Sequence, residues 1–295
     1  APEDATKVFA IDTQVNQDPP KFDSGFVVDF EMTRNVASTA DWAIGSRLIQ
    51  GKQLNTNNAN AETSNPDNAF DFMDGWNGAT SSTNSNVYSW MWKRAPSYFD
   101  VVAYDGNQTS GRTVSHNLGA VPEMMWVKRR NAASDWKVYH SALGNTKHLN
   151  LNENIAAATD SSIWNDTTPT ASVFTLGYDI KVNGNNDNFI AYLFATVAGV
   201  SKLGSFTQSG ATNVDCGFTG DTPSLIIYKR TDGGGNWHIY DSARGIVAGN
   251  DAYLLLDTTG NEQSSDYIDP YSGGFATTSG VTNGDYIFYA IAATS

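Results

Sequence analysis

Short apolar runs separated by turn residues recur along the chain and predict an all-β protein. The segments 124–127 and 189–195 are apolar on both faces, which is typical of central strands. The segments 173–176 and 138–140 alternate between apolar and polar residues, as half-buried strands do. In the middle third we expect seven strands: 100–104, 112–116, 123–129, 136–141, 147–152, 172–176 and 188–195. Because no segment sustains a 3.6-residue apolar period, helix should be limited to single turns such as 154–160.

The pattern repeats along the sequence. Residues 122–144 match residues 223–245 in register, with Pro, Lys-Arg, Trp, Tyr, Ser-Ala and Gly recurring at the same positions. The matched Trp136 and Trp237 are 101 residues apart, a spacing close to the length of one β-sandwich domain and far above a solenoid period. The repeat therefore indicates duplicated domains.

A more diverged copy lies upstream, where residues 26–51 place Trp42 at the position of Trp136 and Trp237. All three copies end on an apolar strand that follows an Asn/Gly-rich turn. We therefore predict three tandem, jelly-roll-like β-sandwich modules related by internal duplication: module 1 at 22–97, module 2 at 98–198 and module 3 at 199–295. Residues 1–21 would form either an N-terminal arm or the first strand of module 1.

The charge balance narrows the range of partners. The chain has 31 Asp and Glu against 18 Lys and Arg, a net charge of −13, which argues against nucleic acid and anionic membranes as partners. The sequence contains no run of 18 apolar residues, so it predicts no membrane span. Cys216 is the single cysteine and therefore cannot form an intramolecular disulfide. Because the chain starts at Ala1 without Met, we expect a processed product or part of a longer protein. The Asn, Ser, Thr and Gly content is typical of extracellular or virion proteins.

The middle copy also resembles a known type of protein. Residues 98–129, the run 135–147 and the later segments 164–166, 172–177 and 190–195 are similar to a module of large surface proteins from tailed phages of marine cyanobacteria. Such proteins are described as tail fibres or as laminin-G-like and concanavalin-like domain proteins. The resemblance covers about 98–196 strongly and implies a location on the virion surface. No laminin-G-like domain is visible upstream of residue 98.

Two sets of aromatic residues are candidates for function. Trp42, Trp136 and Trp237 occupy equivalent positions, for which we predict core packing rather than ligand stacking. Trp76, Trp164 and Tyr271 lie in segments rich in Asn, Asp, Gly and Pro. If exposed, these three would stack on sugar rings; the alternative is that they pin long loops.

Other chemistry has weaker support in the sequence. The four histidines, His116, His140, His148 and His238, are not matched between copies, and no Gly-x-Ser-x-Gly elbow presents a nucleophile. The loops 183–188 and 257–262 offer oxygen ligands for Ca²⁺ but lack EF-hand order, and such strings also form hairpin turns. We therefore predict no catalytic residues, no metal site and no cofactor, with Ca²⁺ as the less favoured alternative.

These observations favour a non-enzymatic virion protein on the particle surface, either as a tail fibre in host attachment or as a capsid decoration. Its expected partners are other virion proteins and further copies of itself, a trimer being one possibility. A carbohydrate-binding adhesin that recognises host surface glycans through loop aromatics is the first alternative. A glycan depolymerase, which requires a pair of carboxylates in a cleft, is the second.

Overall fold

A computed structural model describes residues 1–78, 83–220 and 222–293 and shows an all-β protein of antiparallel sheets with sandwich layering. Helix within the described residues is limited to the α-helical turns α1 (Ser161–Trp164) and α2 (Ile180–Asn183) and to three 3-10 turns, Ala5–Lys7, Arg47–Ile49 and Ser141–Leu143. The predicted fold class is confirmed.

The first module contains eight strands: β1 (Phe9–Gln14), β2 (Phe22–Asp23), β3 (Phe30–Asn35), β4 (Ala43–Ser46), β5 (Lys52–Gln53), β6 (Thr63–Ser64), β7 (Gly75–Trp76) and β8 (Asn84–Trp92). Its main sheet has the order β1-β8-β3-β4, and a bridge between Ile44 and Leu54 continues it towards the β5-β6 pair. Because β1 pairs along β8, residues 9–14 form the first strand of module 1 rather than a detached arm. The module therefore begins before the predicted boundary at residue 22.

The second module contains β9 (Phe99–Asp105), β10 (Arg112–Ser115), β11 (Met124–Arg129), β12 (Lys137–His140), β13 (Lys147–Asn150), β14 (Ala158–Thr159), β15 (Val173–Leu176) and β16 (Asn188–Phe194). All seven strands predicted here are present, with ends within two residues. The helical turn predicted at 154–160 is wrong, because β14 occupies its end. The helical turns form instead where the Asp160 and Asp179 carboxylates accept hydrogen bonds from the main-chain N–H groups of Ser162 and Lys181.

The third module contains β17 (Ser201–Gln208), β18 (Thr212–Asp215), β19 (Leu225–Arg230), β20 (His238–Asp241), β21 (Asp251–Leu255), β22 (Gln263–Ser265), β23 (Ile268–Tyr271), β24 (Gly274–Thr277) and β25 (Gly284–Ile291). Its main sheet, β17-β25-β19-β20-β21-β22, repeats the order of the module 2 sheet, β9-β16-β11-β12-β13-β14. The first module follows the same order, with a single bridge joining its last strands to the sheet. The shared topology is consistent with internal duplication, which itself stays a prediction.

A smaller sheet covers the outer face of each main sheet: β2-β7 in module 1, β10-β15 in module 2 and β18-β24-β23 in module 3. Apolar side chains fill the space between these layers, so each module is a sandwich with its own outer core. In modules 1 and 2 these outer cores are separate apolar clusters, whereas the module 3 layer is continuous with the centre of the protein.

The inner faces of the three main sheets meet in one shared core. Phe30 of module 1 packs on Tyr192 of module 2, with ring centroids 4.4 Å apart. Phe194 of module 2 packs on Tyr289 of module 3 at 5.2 Å, and the Trp92 indole of module 1 donates to the Tyr289 hydroxyl at 3.2 Å. Each module thus contacts both others, and the three form one packed body.

A buried cation closes each junction between modules. Arg34, Lys128 and Lys229 occupy the same register position in β3, β11 and β19, and each is almost inaccessible to solvent. Each donates to main-chain carbonyl groups of the neighbouring module: Arg34 to Thr259 and Gly260, Lys128 to Ala59, and Lys229 to Ile155. The direction is the same at every junction, which gives a pseudo-threefold arrangement.

Candidate functional site

The recurring tryptophans are core residues, as predicted. Trp42, Trp136 and Trp237 are at most 1% exposed. Their indole nitrogens donate to main-chain carbonyl groups of the neighbouring module at 2.8 to 2.9 Å: Trp42 to Leu255, Trp136 to Asn55 and Trp237 to Asn150. These rings therefore pack the modules and also join them.

The two loop tryptophans are buried, as the loop-pinning alternative requires. Trp76 is 2% exposed, stacks against Phe22 with ring centroids 5.1 Å apart, and donates to the Ser89 hydroxyl. Trp164 is 1% exposed and donates to the Lys147 carbonyl. Both belong to the layer that covers a main sheet, and Trp76 also lines a cavity of about 240 Å³ in module 1.

Tyr271 differs from these two tryptophans, because it ends β23 and stays partly exposed. No neighbouring ring is stacked on it among the contacts of the described residues. Its role in binding a sugar stays a prediction.

Sequence reasoning missed a row of aromatic rings on the outer face of the module 3 main sheet. Tyr286, Tyr228, His238 and Tyr253 lie on the adjacent strands β25, β19, β20 and β21. Tyr228 and His238 are register partners, and their rings stack with centroids 4.9 Å apart and planes 16° apart. His238 and Tyr253 follow at 5.3 Å.

A cavity of about 300 Å³ opens over this row, and we call it the module 3 pocket. Its main walls are Tyr228, His238, Tyr253, Tyr267, Tyr286 and Arg230. Tyr267, which is partly exposed, stands at right angles to the His238 ring at 6.0 Å. Ligand sites in proteins typically combine such apolar walls with a few polar groups.

Hydrogen bonds fix the rings of the pocket. The Tyr253 hydroxyl donates to Gln263 Oε1 at 2.8 Å, and the Tyr286 hydroxyl donates to the Thr282 carbonyl at 2.7 Å. The Tyr228 hydroxyl lies 3.2 Å from that of Tyr240. The cavity walls are therefore held in place without a ligand.

The pocket carries little net charge. Arg230 Nε is 2.7 Å from Asp232 Oδ1, so the guanidinium is paired. Burial lowers the pKa of His238 to about 4, against the hydrogen bond with the Asn236 carbonyl, so the imidazole is uncharged at neutral pH.

The equivalent row in the other modules has a different composition. Module 2 places Phe189, Val127, Lys137 and His148 at the four register positions, and module 1 places Val87, Thr33, Ala43 and Gln53 there. In module 2 the Lys137 ammonium donates to Asn150 Oδ1 at 2.7 Å, so a charged group stands where module 3 has His238. In module 1 a cavity of about 240 Å³ lies at this position; the row there has no aromatic residue, but Phe22 and Trp76 line the cavity from the covering layer. Among the described residues, the third copy is the one that places three tyrosines and a histidine along its main sheet beside a cavity.

A signal for this row was present in the sequence. The matched runs 122–144 and 223–245 already align Val127 with Tyr228 and Lys137 with His238. A comparison of which outward positions change to aromatic residues between copies would have drawn attention to module 3.

The calcium-candidate loops use their oxygens internally. Asp187 Oδ1 accepts hydrogen bonds from Arg129 and from Asn131, and Asp257 accepts from the Trp237 main chain and from Asn236. Within residues 1–78, 83–220 and 222–293, no group of three or more His, Cys, Asp or Glu side chains is placed to hold a metal ion.

The histidines are separated from one another. His140 is buried in the shared core, where burial lowers its pKa to about 4, and its Nδ1 accepts from the Ala142 N–H. His116 contacts the Thr170 carbonyl and His148 the Lys137 ammonium. His238 is the histidine that lines the module 3 pocket.

Comparison with known families gives one match: residues 48–294 fit the model described as a domain of unknown function, DUF7483. The chain belongs to the DUF7483 family. The matched region of this DUF7483 protein starts within module 1 and covers modules 2 and 3, so the family unit is longer than one copy of the repeat. No curated protein matches the sequence. Among the described residues of this DUF7483 protein, no helix has the length and apolar character needed to cross a membrane.

Proposed function

We propose that the protein is a non-enzymatic structural component of a phage particle, exposed on its surface as a tail-fibre or capsid-decoration element. The observation that carries this proposal is the closure of three modules into one body around a shared core. Arg34, Lys128 and Lys229 repeat the same junction three times, an architecture suited to a rigid building block.

The energetics of the junctions support a permanent assembly of the modules. A hydrogen bond from a charged donor contributes about 1.5–3 kcal/mol to stability. Each junction contains one such cation and also an indole N–H that donates to a main-chain carbonyl group. Separating the modules would break the hydrogen bonds that these cations donate across the junctions and would expose the apolar core that the modules share. The modules therefore do not move independently of one another.

The location rests on the resemblance of residues 98–196 to surface proteins of marine tailed phages. The net charge of −13 fits a protein that stays soluble at high density on a particle. Contacts with other virion proteins, and homotrimers of the chain, are part of the proposal.

Cryo-electron microscopy of purified particles of the phage that encodes the chain tests this function. We expect a three-lobed density that fits the structure on the capsid exterior or along the tail. Mass spectrometry of the same particles supplies the control, because the protein must be present in stoichiometric copies. Its absence from purified particles, or density confined to the capsid interior, would refute the proposal.

A further inference from the structure

We propose that the module 3 pocket is a binding site for a neutral sugar ring, with Tyr228, His238, Tyr253 and Tyr267 as its aromatic walls. This inference goes beyond the structural role proposed above and does not depend on it, because the pocket belongs to the isolated chain.

The cavity is the size of a small ligand and has aromatic walls. A pyranose presents flat faces of C–H groups, which pack on aromatic rings, and a rim of hydroxyl groups, which need hydrogen-bond partners. Tyr228 and His238 stack on each other, so they do not turn their stacked faces to the cavity. Tyr267, which is partly exposed and stands across the His238 ring at 82°, is the wall placed to contact a sugar face. A cavity of about 300 Å³ between such walls lies at the lower end of the size range of small-molecule sites.

Polar groups line the pocket, and its guanidinium is paired. Gln263 lies at the rim with an exposed side chain, and its Oε1 already accepts from Tyr253, which directs its amide N–H groups elsewhere. Asn236 and the Thr282 main chain add polar groups to the lining. Because Arg230 is paired with Asp232, no unpaired charge attracts an ionic ligand, and a neutral sugar fits better than an acidic one.

The three modules differ at the positions of the aromatic row. At the same four register positions, module 2 has a single benzene ring, that of Phe189, and module 1 has no aromatic residue. The other two modules fold with these residues, so the sandwich does not require an aromatic row at this position. The row of three tyrosines and a histidine beside the cavity is thus a feature of module 3 that the fold does not require.

Saturation-transfer NMR on the whole chain tests the proposal with four probes: the methyl glycosides of glucose, galactose, mannose and N-acetylglucosamine. We expect saturation transfer to the ring protons of at least one of them. Glucuronate and p-cresol serve as charged and aromatic comparison probes. Transfer to none of the four glycosides, tighter binding of glucuronate than of glucose, or binding of p-cresol alone overturns the assignment.

Variants copied from the other modules locate the site. Tyr253→Gln introduces the residue that module 1 has as Gln53, and Tyr228→Val introduces the residue that module 2 has as Val127; we expect both to abolish saturation transfer. Tyr267→Ala changes a partly exposed residue and keeps the test decisive if the buried variants fail to fold. We expect it to weaken binding about fivefold or more, the range of a lost aromatic contact.

Two further tyrosines are matched controls. Tyr178, which is 57% exposed in module 2, should be replaceable by Ala without effect, and Tyr271→Ala separates the pocket from the loop site suggested by the sequence. Binding that survives all three pocket variants, or that is lost only in Tyr271→Ala, refutes the pocket.

Discussion

Glu31 provides the sharpest quantitative test of the structure. It lies in β3 with no exposed surface, and its carboxyl group accepts a short hydrogen bond from the Thr33 hydroxyl. A Cβ atom added to the facing Gly45 would come within 2.7 Å of Glu31 Oε1, so the carboxyl group depends on a glycine opposite it. Modules 2 and 3 have Met125 and Ile226 at this register position.

Burial raises the pKa of Glu31 from 4.5 to about 8, against the hydrogen bonds that lower it. The folded state therefore binds a proton more tightly than the unfolded state. This contribution to stability is fully present below pH 4.5 and is lost as the pH rises towards 8. One pKa unit corresponds to about 1.4 kcal/mol, so the loss is about 5 kcal/mol across this range.

Glu31→Gln removes the titration while keeping the side-chain shape. Urea unfolding followed by tryptophan fluorescence between pH 4 and 9 gives the free energy of unfolding of both proteins. We expect the variant to gain about 5 kcal/mol relative to the wild type over that range. Histidines with lowered pKa values, such as His140 and His238, change stability in the opposite direction, but they are common to both proteins and cancel in the difference.

Two further variants complete the experiment. Glu31→Met, which copies module 2, should also flatten the pH dependence. Asp18→Asn, at an exposed position, should leave it unchanged. A difference between the wild type and Glu31→Gln that stays constant within about 1 kcal/mol from pH 4 to 9 would show that the burial argument is wrong.

Three other predictions concern the junctions between modules, the shared core and the buried Trp164. Trp136→Phe should lower the free energy of unfolding in urea by about 1–3 kcal/mol more than Trp126→Phe, because the Trp136 indole donates to the Asn55 carbonyl whereas the buried Trp126 Nε1 has no hydrogen-bond partner among the described residues; equal losses would contradict the role of the junction. Residues 98–198 expressed alone should lack a cooperative thermal transition by circular dichroism, because the inner face of that sheet packs on the other modules; a sharp transition in a monomer would contradict the shared core. Trp164→Ala should lower the free energy of unfolding by about 3–5 kcal/mol and leave any sugar binding of the folded protein intact; selective loss of binding would favour the sugar-stacking alternative for Trp164.

The sequence determined the elements of this fold better than their layering. The period-two patterns and turn residues locate strands such as β11 and β16, because strand formation depends on local alternation and on short connections. The equivalence of Trp136 and Trp237 identified core positions, since a large ring that recurs at one position is most often buried.

The candidate site was harder to predict because loops fold over the sheets. Trp76 lies in a two-residue strand and Trp164 in a single helical turn, and local composition does not reveal that such segments form a second layer. The row of Tyr228, His238 and Tyr253 is assembled from three strands, so no continuous stretch of sequence displays it. The junctions between modules could not be predicted from the sequence either, since their acceptors are main-chain carbonyl groups that every residue type supplies.

Because the acceptors are main-chain carbonyl groups, the copies can change in sequence over time without breaking the junctions. Where a junction relies on side-chain pairs, a substitution on one side requires a matching substitution on the other. Here the Lys229 ammonium donates to the main-chain carbonyl of Ile155, and the Trp237 indole donates to that of Asn150. The side chains of the accepting segments are therefore free to vary. One copy could therefore acquire an aromatic face while the assembly around it stayed intact.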